Sequence, residues 1–419
     1  MLLRWKIPRK FHPSGYITCL VTRRRMTLLL FVLVFLWLFR KGGVVCLHSE
    51  MVTTLSMVCE QFSKGEALGD MCNETCEFGT LEPVQCQTGH SGKEVVFEAT
   101  FRDIEVFVKA RTVDIESESE GSVFWTEDEK LQFPNLEQFT MMIDTHLKMN
   151  LNLSIQDSNL FKLWPLLLHK ESYSPRQNKL LLENSMKNIW TLALDNEYVF
   201  LRLFKHYDVF PEIFGSCGGL YVVEKVRPLD MPYYLQRVSF QGWVERVKLA
   251  IAILDLLEEL ENMFDHPVHL CDIKSEHFGL SDHGRAKFLD VDNVYLKPIV
   301  DRTVGDGTKC QTHSDCDLFD CRGRCDLINR KCTGEVINNN LQVVCEKIFL
   351  GDNLGFRFAG GTGLLASRHA SRGLKQALQR CANPTGSKDG VRLSADQTMF
   401  TKLYASLKEV VTIDNMINR

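Results

Sequence analysis

Asp272 sits in the string Cys271-Asp272-Ile273-Lys274-Ser275-Glu276-His277-Phe278, and a second acid, Asp290, follows eighteen residues later in Lys287-Phe288-Leu289-Asp290-Val291-Asp292. Far upstream, Lys109 ends the mostly apolar stretch Glu105-Val106-Phe107-Val108-Lys109. Phosphoryl transfer needs little covalent help. It needs phosphates held by a cation, a metal placed by carboxylates, and an acceptor hydroxyl oriented by a base. These residue types supply that kit. Each has a plainer reading in isolation: a lysine at a strand end, a surface Asp-x-Lys turn, a solvated acid. Their order and flanks decide between the readings.

The flanking segments read as elements able to position those groups. Lys93 to Phe101 and Ile104 to Ala110 carry alternating or β-branched apolar residues around the polar pair Arg102-Asp103, the pattern of two strands and a turn. Residues 134–150 show helical spacing with Pro134 at the start. One long helix is expected from Leu180 to Lys205, with Trp190, Leu194, Leu201 and Phe204 on one face. Glu197 lies on that apolar face, where a carboxylate is costly unless paired. Leu220 to Val223 reads as a strand that leads into polar Glu224-Lys225. Phe240 to Phe264 is the clearest helix, with Trp243, Val247, Ala250, Ile251, Leu254 and Leu257 in one stripe, and it runs directly into the Asp272 segment. Arg285 to Leu289 reads as a strand ahead of Asp290.

In order and spacing these segments resemble the protein-kinase set of phosphate-binding lysine, helix glutamate, catalytic loop and metal-binding motif. The resemblance implies that Lys109 contacts the α- and β-phosphates of ATP and pairs with Glu197, with Glu137 as runner-up. Glu224, at the end of the strand that follows the helix, joins the cofactor-binding set. Asp272 would be the base or hydroxyl-orienting group, and Lys274 would neutralise charge on the γ-phosphate. Asp290 would be the primary ligand of Mg²⁺ or Mn²⁺, and Asp292 a further oxygen ligand or a solvated acid. His277 departs from the pattern, since an asparagine is expected there. Imidazole suits Mn²⁺ better than hard Mg²⁺. Cys271 replaces the arginine that normally reads a phosphate on the activation segment, so switching by phosphorylation there is not expected. Ala-Pro-Glu is missing after Asp290, and no G-x-G-x-x-G string precedes Lys109, where the nearby glycines are Gly79, Gly89 and Gly92.

Charge is unevenly placed. Residues 1–25 carry seven basic groups and no acid; beyond Lys41, 40 basic residues face 53 acidic ones, a body near −13. That balance argues against nucleic acid as a partner. Met26 to Phe39 is apolar except for Thr27, and Gly42 to Leu47 extends it to a span of 26–47. Basic residues ahead of it predict a single-pass type II membrane anchor with the body in the lumen; a cleaved signal peptide is the competing reading. Fifteen cysteines, five of them in Cys310-x5-Cys316-x4-Cys321-x3-Cys325-x6-Cys332, point to disulfides in an oxidising compartment rather than zinc, which usually wants C-x2-C pairs. With Cys19 cytosolic, fourteen remain; if Cys46 sits in the membrane, thirteen do, and at least one is then expected to be free or in an intermolecular bond. Asn73-Glu74-Thr75 and Asn152-Leu153-Ser154 are N-glycosylation sequons.

The acidic stretch 111–130 has its own signal. Glu116, Glu118, Glu120 and Glu127 fall at positions 1, 3, 5 and 12 of a calcium-loop spacing, with Gly121 at position 6. Glutamate crowds a tight loop more than aspartate, and a solvated acidic loop is the alternative.

Anchor, cysteine-rich stem, acidic insert, Cys-Asp loop and trailing cysteine cluster together look like the divergent protein kinase domain 1 family. The resemblance implies an α+β, bilobal kinase-like fold in the endoplasmic reticulum, with an EF-hand-like insert in the N-lobe and a disulfide-rich segment in the C-lobe. The expected division is a cytosolic tail 1–25, an anchor 26–47, a stem 48–92, an N-lobe 93–227 with insert 111–178, and a C-lobe 228–419 with the cysteine-rich segment 310–345. Two activities compete: a kinase acting on lumenal proteins or glycans, and a pseudokinase or calcium-responsive scaffold.

Overall fold

The structure is a computed structural model; it describes residues 48–87, 95–111, 124–127, 130–154, 175–262, 264–351, 363–385, 394–395 and 397–417. The expected anchor and the calcium-loop positions 116, 118 and 120 lie outside these residues. Among the described residues no helix is long and apolar enough to cross a membrane.

Helix α1 (His48–Ser63) lies over the strands β1 (Leu81–Cys86), β2 (Val95–Phe101) and β3 (Ile104–Ala110). The β2–β3 hairpin turns at Arg102 and Asp103, both with positive φ (48° and 67°). Two consecutive left-handed residues give the turn whose twist matches the strands. Strand alternation then sorts β3: Val106, Val108 and Ala110 are buried against the α1 side, while Phe107 and Lys109 take the opposite face. The stretch read as a stem is therefore no separate stalk. Residues 48–87 cover and extend the sheet, and the alternation in β1 escaped notice because Glu82, Pro83 and Gln85 make it look like a polar linker.

A short hairpin, β4 (Trp125–Glu127) and β5 (Lys130–Gln132), precedes helix α2 (Leu136–Leu151). Asn135 caps α2 in a reciprocal box with Gln138, so the helix starts just after Pro134. The long helix expected from 180 to 205 is two helices, α3 (Pro175–Ala193) and α4 (Asn196–Leu203). Asp195 breaks it: its side chain accepts from the Tyr198 amide and restarts the helix as an N-cap. Strands β6 (Ile213–Cys217) and β7 (Leu220–Glu224) complete a five-stranded antiparallel sheet in the order β1-β2-β3-β7-β6.

The chain then passes through β8 (Arg227–Pro228) and α5 (Met231–Gln236) to α6 (Phe240–Asn262), where all six residues of the expected stripe are buried. Fully burying side chains of this size is worth about 1.5–3 kcal/mol each, and α6 organises the second lobe. Strands β9 (Val268–Leu270), β10 (Phe278–Leu280), β11 (Ala286–Phe288) and β12 (Val294–Leu296) form two small antiparallel pairings, β12-β9 and β11-β10-β8. Gly279 is needed where β10 meets β8, because a Cβ there would stand 2.7 Å from Val226 and 2.8 Å from the Arg227 carbonyl. Helix α7 (Lys297–Val304), the hairpin β13 (Arg324–Asp326) and β14 (Lys331–Thr333), and helices α8 (Asn340–Val343), α9 (Arg372–Ala382) and α10 (Gln397–Ile417) follow.

Six disulfides join described cysteines: 59–76, 72–217, 271–321, 310–325, 316–332 and 345–381. Cys86 is disulfide-bonded as well, so all thirteen described cysteines are bonded. None of the described cysteines is therefore a free thiol. The 72–217 bond closes a separation of 145 residues. Closing a loop longer than a hundred residues is worth about 5 kcal/mol on a chain-entropy account.

Candidate active site

Lys109 projects from β3 on the face opposite the α1 cluster, and its ammonium donates to Glu197 Oε1. The partnership follows from the break at Asp195, which sets Glu197 in the first turn of α4 beside the sheet. Glu197 is 1% exposed, so the ion pair is what makes that carboxylate tolerable. Glu137, the runner-up partner, is exposed on α2, and Lys109 pairs with Glu197 instead. Tyr221, on β7, donates to Glu197 and Asp195, each at 3.2 Å. Burial, and then the charges of Glu197, Asp195 and Asp292, push the Tyr221 phenol well above its usual range, so it remains a donor.

Asp195, Glu197 and Asp292 bring one ligand oxygen each to within 4.8 Å of one another. Asp292 therefore reaches the carboxylate that pairs with Lys109. Asp272, His277 and Asp290 form a second group with the same spacing limit. The β10–β11 hairpin builds it. Phe278 pairs with Phe288, the Leu289 amide donates to the His277 carbonyl at 2.7 Å, and Asp290 emerges against the His277 ring. His277 Nε2 is 3.2 Å from Asp290 Oδ2, and His277 Nδ1 is 2.9 Å from the Asp272 carbonyl. A carbonyl only accepts, so Nδ1 carries a proton. Nε2 then either donates to Asp290 as imidazolium or offers a lone pair beside two carboxylates. The second form is a donor set for a divalent cation, with nitrogen and oxygen ligands of the kind that suits Mn²⁺.

Lys274 donates to Asp272 Oδ2 at 2.8 Å. That hydrogen bond, ahead of nearby acidic charges, holds the Lys274 ammonium above its ordinary range, although burial opposes it. Glu224, expected in the cofactor-binding set, is engaged with the protein's own groups. Its Oε2 accepts from Lys287 at 2.7 Å and from the Glu212 amide at 3.0 Å, so the carboxylate clamps the two lobes. Lys287, buried on β11, also meets Asp208 at 2.7 Å. Burial lowers the Lys287 pKa, but the hydrogen bonds to Asp208 and Glu224 outweigh it and the ammonium is held above its usual range. Of the calcium-spaced acids, only position 127 is described, and it lies in the extended strand β4 rather than at the entry of a helix. Of the nearby glycines, Gly79 precedes β1, whereas Gly89 and Gly92 fall in the β1–β2 connection, outside the described residues.

Several residues around Asp272 escaped sequence reasoning. Cys271 is bonded to Cys321 in the cysteine-rich segment. The Asp320 amide donates to the Cys271 carbonyl at 2.8 Å, and its Oδ2 accepts from the Ile273 amide at 2.7 Å. Lys347 donates to the Ile273 carbonyl at 3.1 Å and to Asp320 Oδ2 at 2.8 Å. The backbone on both sides of Asp272 is thus held from outside its own loop. An aspartate next to a cysteine gives no sequence signal of such a role.

Two family models match the chain. One, described as the protein-kinase domain of FAM69, covers residues 189–384; the other, described as the N-terminal cysteine-rich endoplasmic-reticulum segment of FAM69, covers residues 20–165. The boundary between them cuts across the fold, since Lys109 falls in the N-terminal match and its partner Glu197 in the kinase-domain match. Among solved structures the chain is similar to a Mycobacterium tuberculosis protein described in complex with erythromycin, at 16% identity over 68% of each chain and a TM-score of 0.26, a likeness that carries no argument. The matched segments include the cysteine-rich lead, the Glu197 helix, the Asp272 loop and the Asp290 turn, and the chain belongs to the FAM69 family, with a kinase-like domain and an endoplasmic-reticulum cysteine-rich N-terminal segment.

Proposed function

We propose that the protein is a lumenal phosphotransferase that moves the γ-phosphate of ATP to a hydroxyl of a secretory-pathway protein or glycan. One observation carries the reading. The short segment from Asp290 to Asp292 contributes to both ligand groups, Asp290 beside Asp272 and His277, and Asp292 beside Glu197. It joins the cation from the front of the molecule to the acids from its back.

Lys109, fixed by Glu197, is placed to bind the α- and β-phosphates. Asp272 is placed to accept the hydroxyl proton, with its backbone held by Asp320 and Cys271. Lys274 moves from Asp272 to the γ-phosphate when nucleotide enters. His277 and Asp290, with Asp272 beside them, are the residues that would hold Mn²⁺ or Mg²⁺, which when bound supplies charge neutralisation at the phosphates. The 26–47 span would anchor the protein as a type II single-pass membrane protein and place this site in the lumen.

A non-catalytic binding module is the second reading. It draws on the Lys274–Asp272 pair, which occupies the carboxylate that must orient the acceptor. Incubating full-length protein with γ-labelled ATP, Mn²⁺ and deglycosylated or intact secretory proteins separates the two. Label transfer that Asp272→Asn lowers at least a hundredfold supports the enzyme. No transfer above background by either protein, with nucleotide still bound, favours the module.

A further inference from the structure

A cavity of about 450 Å³ lies behind the Lys109–Glu197 pair, on the far side of the sheet and α3 from the proposed nucleotide site. Val58, Ala110 and Leu220 give it buried apolar walls, and Met57 and Leu180, 45% and 57% exposed, stand at its mouth. Lys64, Arg111 and Lys187 line it against one acid, Glu66. A net cationic pocket is out of keeping with a body near −13. Lys64 is exposed and pairs with Glu60 at 2.8 Å, and the half-buried Lys187 holds its ammonium over the Phe133 ring, so neither charge sits in the apolar walls. An occupant would therefore bury an apolar group and keep its negative charge outside. That is the shape of a peptide whose apolar side chains are flanked by carboxylates, and it differs from a small ligand with a buried anion.

The walls connect directly to Glu197. Ala110 and Arg111 are the next two residues after Lys109. Arg111 donates to the Leu194 carbonyl, one residue before the Asp195 cap that restarts α4. Leu220 precedes Tyr221, which bonds both Asp195 and Glu197, and the Arg111 amide donates to the Gly219 carbonyl at 3.1 Å. Gly219 permits that approach, since a Cβ there would stand 2.2 Å from the Arg111 carbonyl oxygen. A peptide that moves Arg111 or α3 moves the partner of Lys109.

We infer that this cavity is a docking site for an acidic–apolar segment of a partner protein, and that its occupation tunes nucleotide binding through the Lys109–Glu197 pair. The second half of the inference rests on the phosphotransferase reading; the first half does not.

The test is fluorescence anisotropy on full-length protein with two labelled peptides, one with a Leu-Phe core between glutamate pairs and one with the same core between lysine pairs. The acidic peptide should bind at least tenfold tighter, lose at least tenfold in the Lys64→Glu, Lys187→Glu double variant, and weaken as salt rises. Leu180→Asp, at the exposed mouth, should weaken it without unfolding the protein. Adding a non-hydrolysable ATP analogue with Mn²⁺ should change peptide affinity by several fold, and the peptide should change analogue affinity by the same factor. Equal binding of both peptides, or a charge-reversed variant that binds as well as the parent, overturns the site. Selective peptide binding that ignores the analogue overturns the coupling alone. A protein that binds no analogue at all strikes the phosphotransferase reading and leaves the peptide selectivity standing.

Discussion

Cys271 and Cys321 are bonded across fifty residues of sequence, which ties the residue before Asp272 to the cysteine-rich segment. A kinase-like loop with an arginine at this position could be released and re-formed by phosphorylation. A buried covalent bond cannot: both cysteines are almost fully inaccessible. The loop is built in one state and kept there.

The joint variant Cys271→Ser, Cys321→Ser removes that tie without leaving a lone thiol. Phosphate transfer should fall at least tenfold while the nucleotide-dependent thermal shift stays within a degree or two, because Lys109 and Glu197 are untouched. A parallel loss of both would mean that the bond supports the whole lobe.

On the phosphotransferase reading, His277 selects the metal. The parent protein should prefer Mn²⁺ to Mg²⁺ in nucleotide-dependent stabilisation, and chelation should abolish the shift. His277→Asn, which restores an amide oxygen, should bring the two ions within about threefold of each other. An unchanged preference would place the ion elsewhere, with the Asp195, Glu197 and Asp292 group the next candidate.

Glu197→Gln leaves the Lys109 ammonium facing a neutral amide in a buried setting. Nucleotide affinity should drop about tenfold or more, and stability should fall by about 3 kcal/mol, the usual cost of removing one partner of a buried pair. Glu137→Gln, on an exposed helix face, should do neither. Titration calorimetry with an ATP analogue reads the first effect and chemical denaturation the second.

His269 makes the fold acid-sensitive. Burial pushes its imidazole down to about 4 from 6.5 in the unfolded chain. A depressed folded-state value means that the stability is fully present above about pH 6.5 and is lost as pH falls toward 4, where the unfolded chain takes up the proton first. The loss amounts to at most about 3 kcal/mol. His269→Gln should flatten the fall in Tm between pH 7 and pH 4.5; a slope equal to the parent's would assign the acid lability to other groups.

Much of this was legible in residue order. The period-two burial of β3 put Lys109 on its own face, and the α6 stripe needed only helical spacing. Glu197 stood out because a carboxylate on an apolar stripe demands a partner. The break at Asp195 was hidden, since good helix formers run through it and an N-cap is indistinguishable from an ordinary aspartate until the chain turns. The grouping of Asp292 with Glu197 was hidden for a related reason: only Val291 separates it from Asp290, and a tight turn can aim near neighbours at different groups. Disulfide partners, and with them the hold that Asp320 and Cys321 have on Asp272, depend on distant contacts that spacing does not encode. The β1 strand looks like stem in sequence because Leu81 is its one fully buried residue and Glu82, Pro83 and Gln85 interrupt any apolar run.

The central claim is that Lys109 and Asp290 serve one nucleotide. The direct measurement is binding of an ATP analogue with Mn²⁺ to full-length protein, the Lys109→Met variant, the Asp290→Asn variant and the two combined. Convergence on one site predicts that each single change weakens binding at least tenfold and that the combined variant is far less than additive. Full affinity in either single variant, or strictly additive losses, would contradict it.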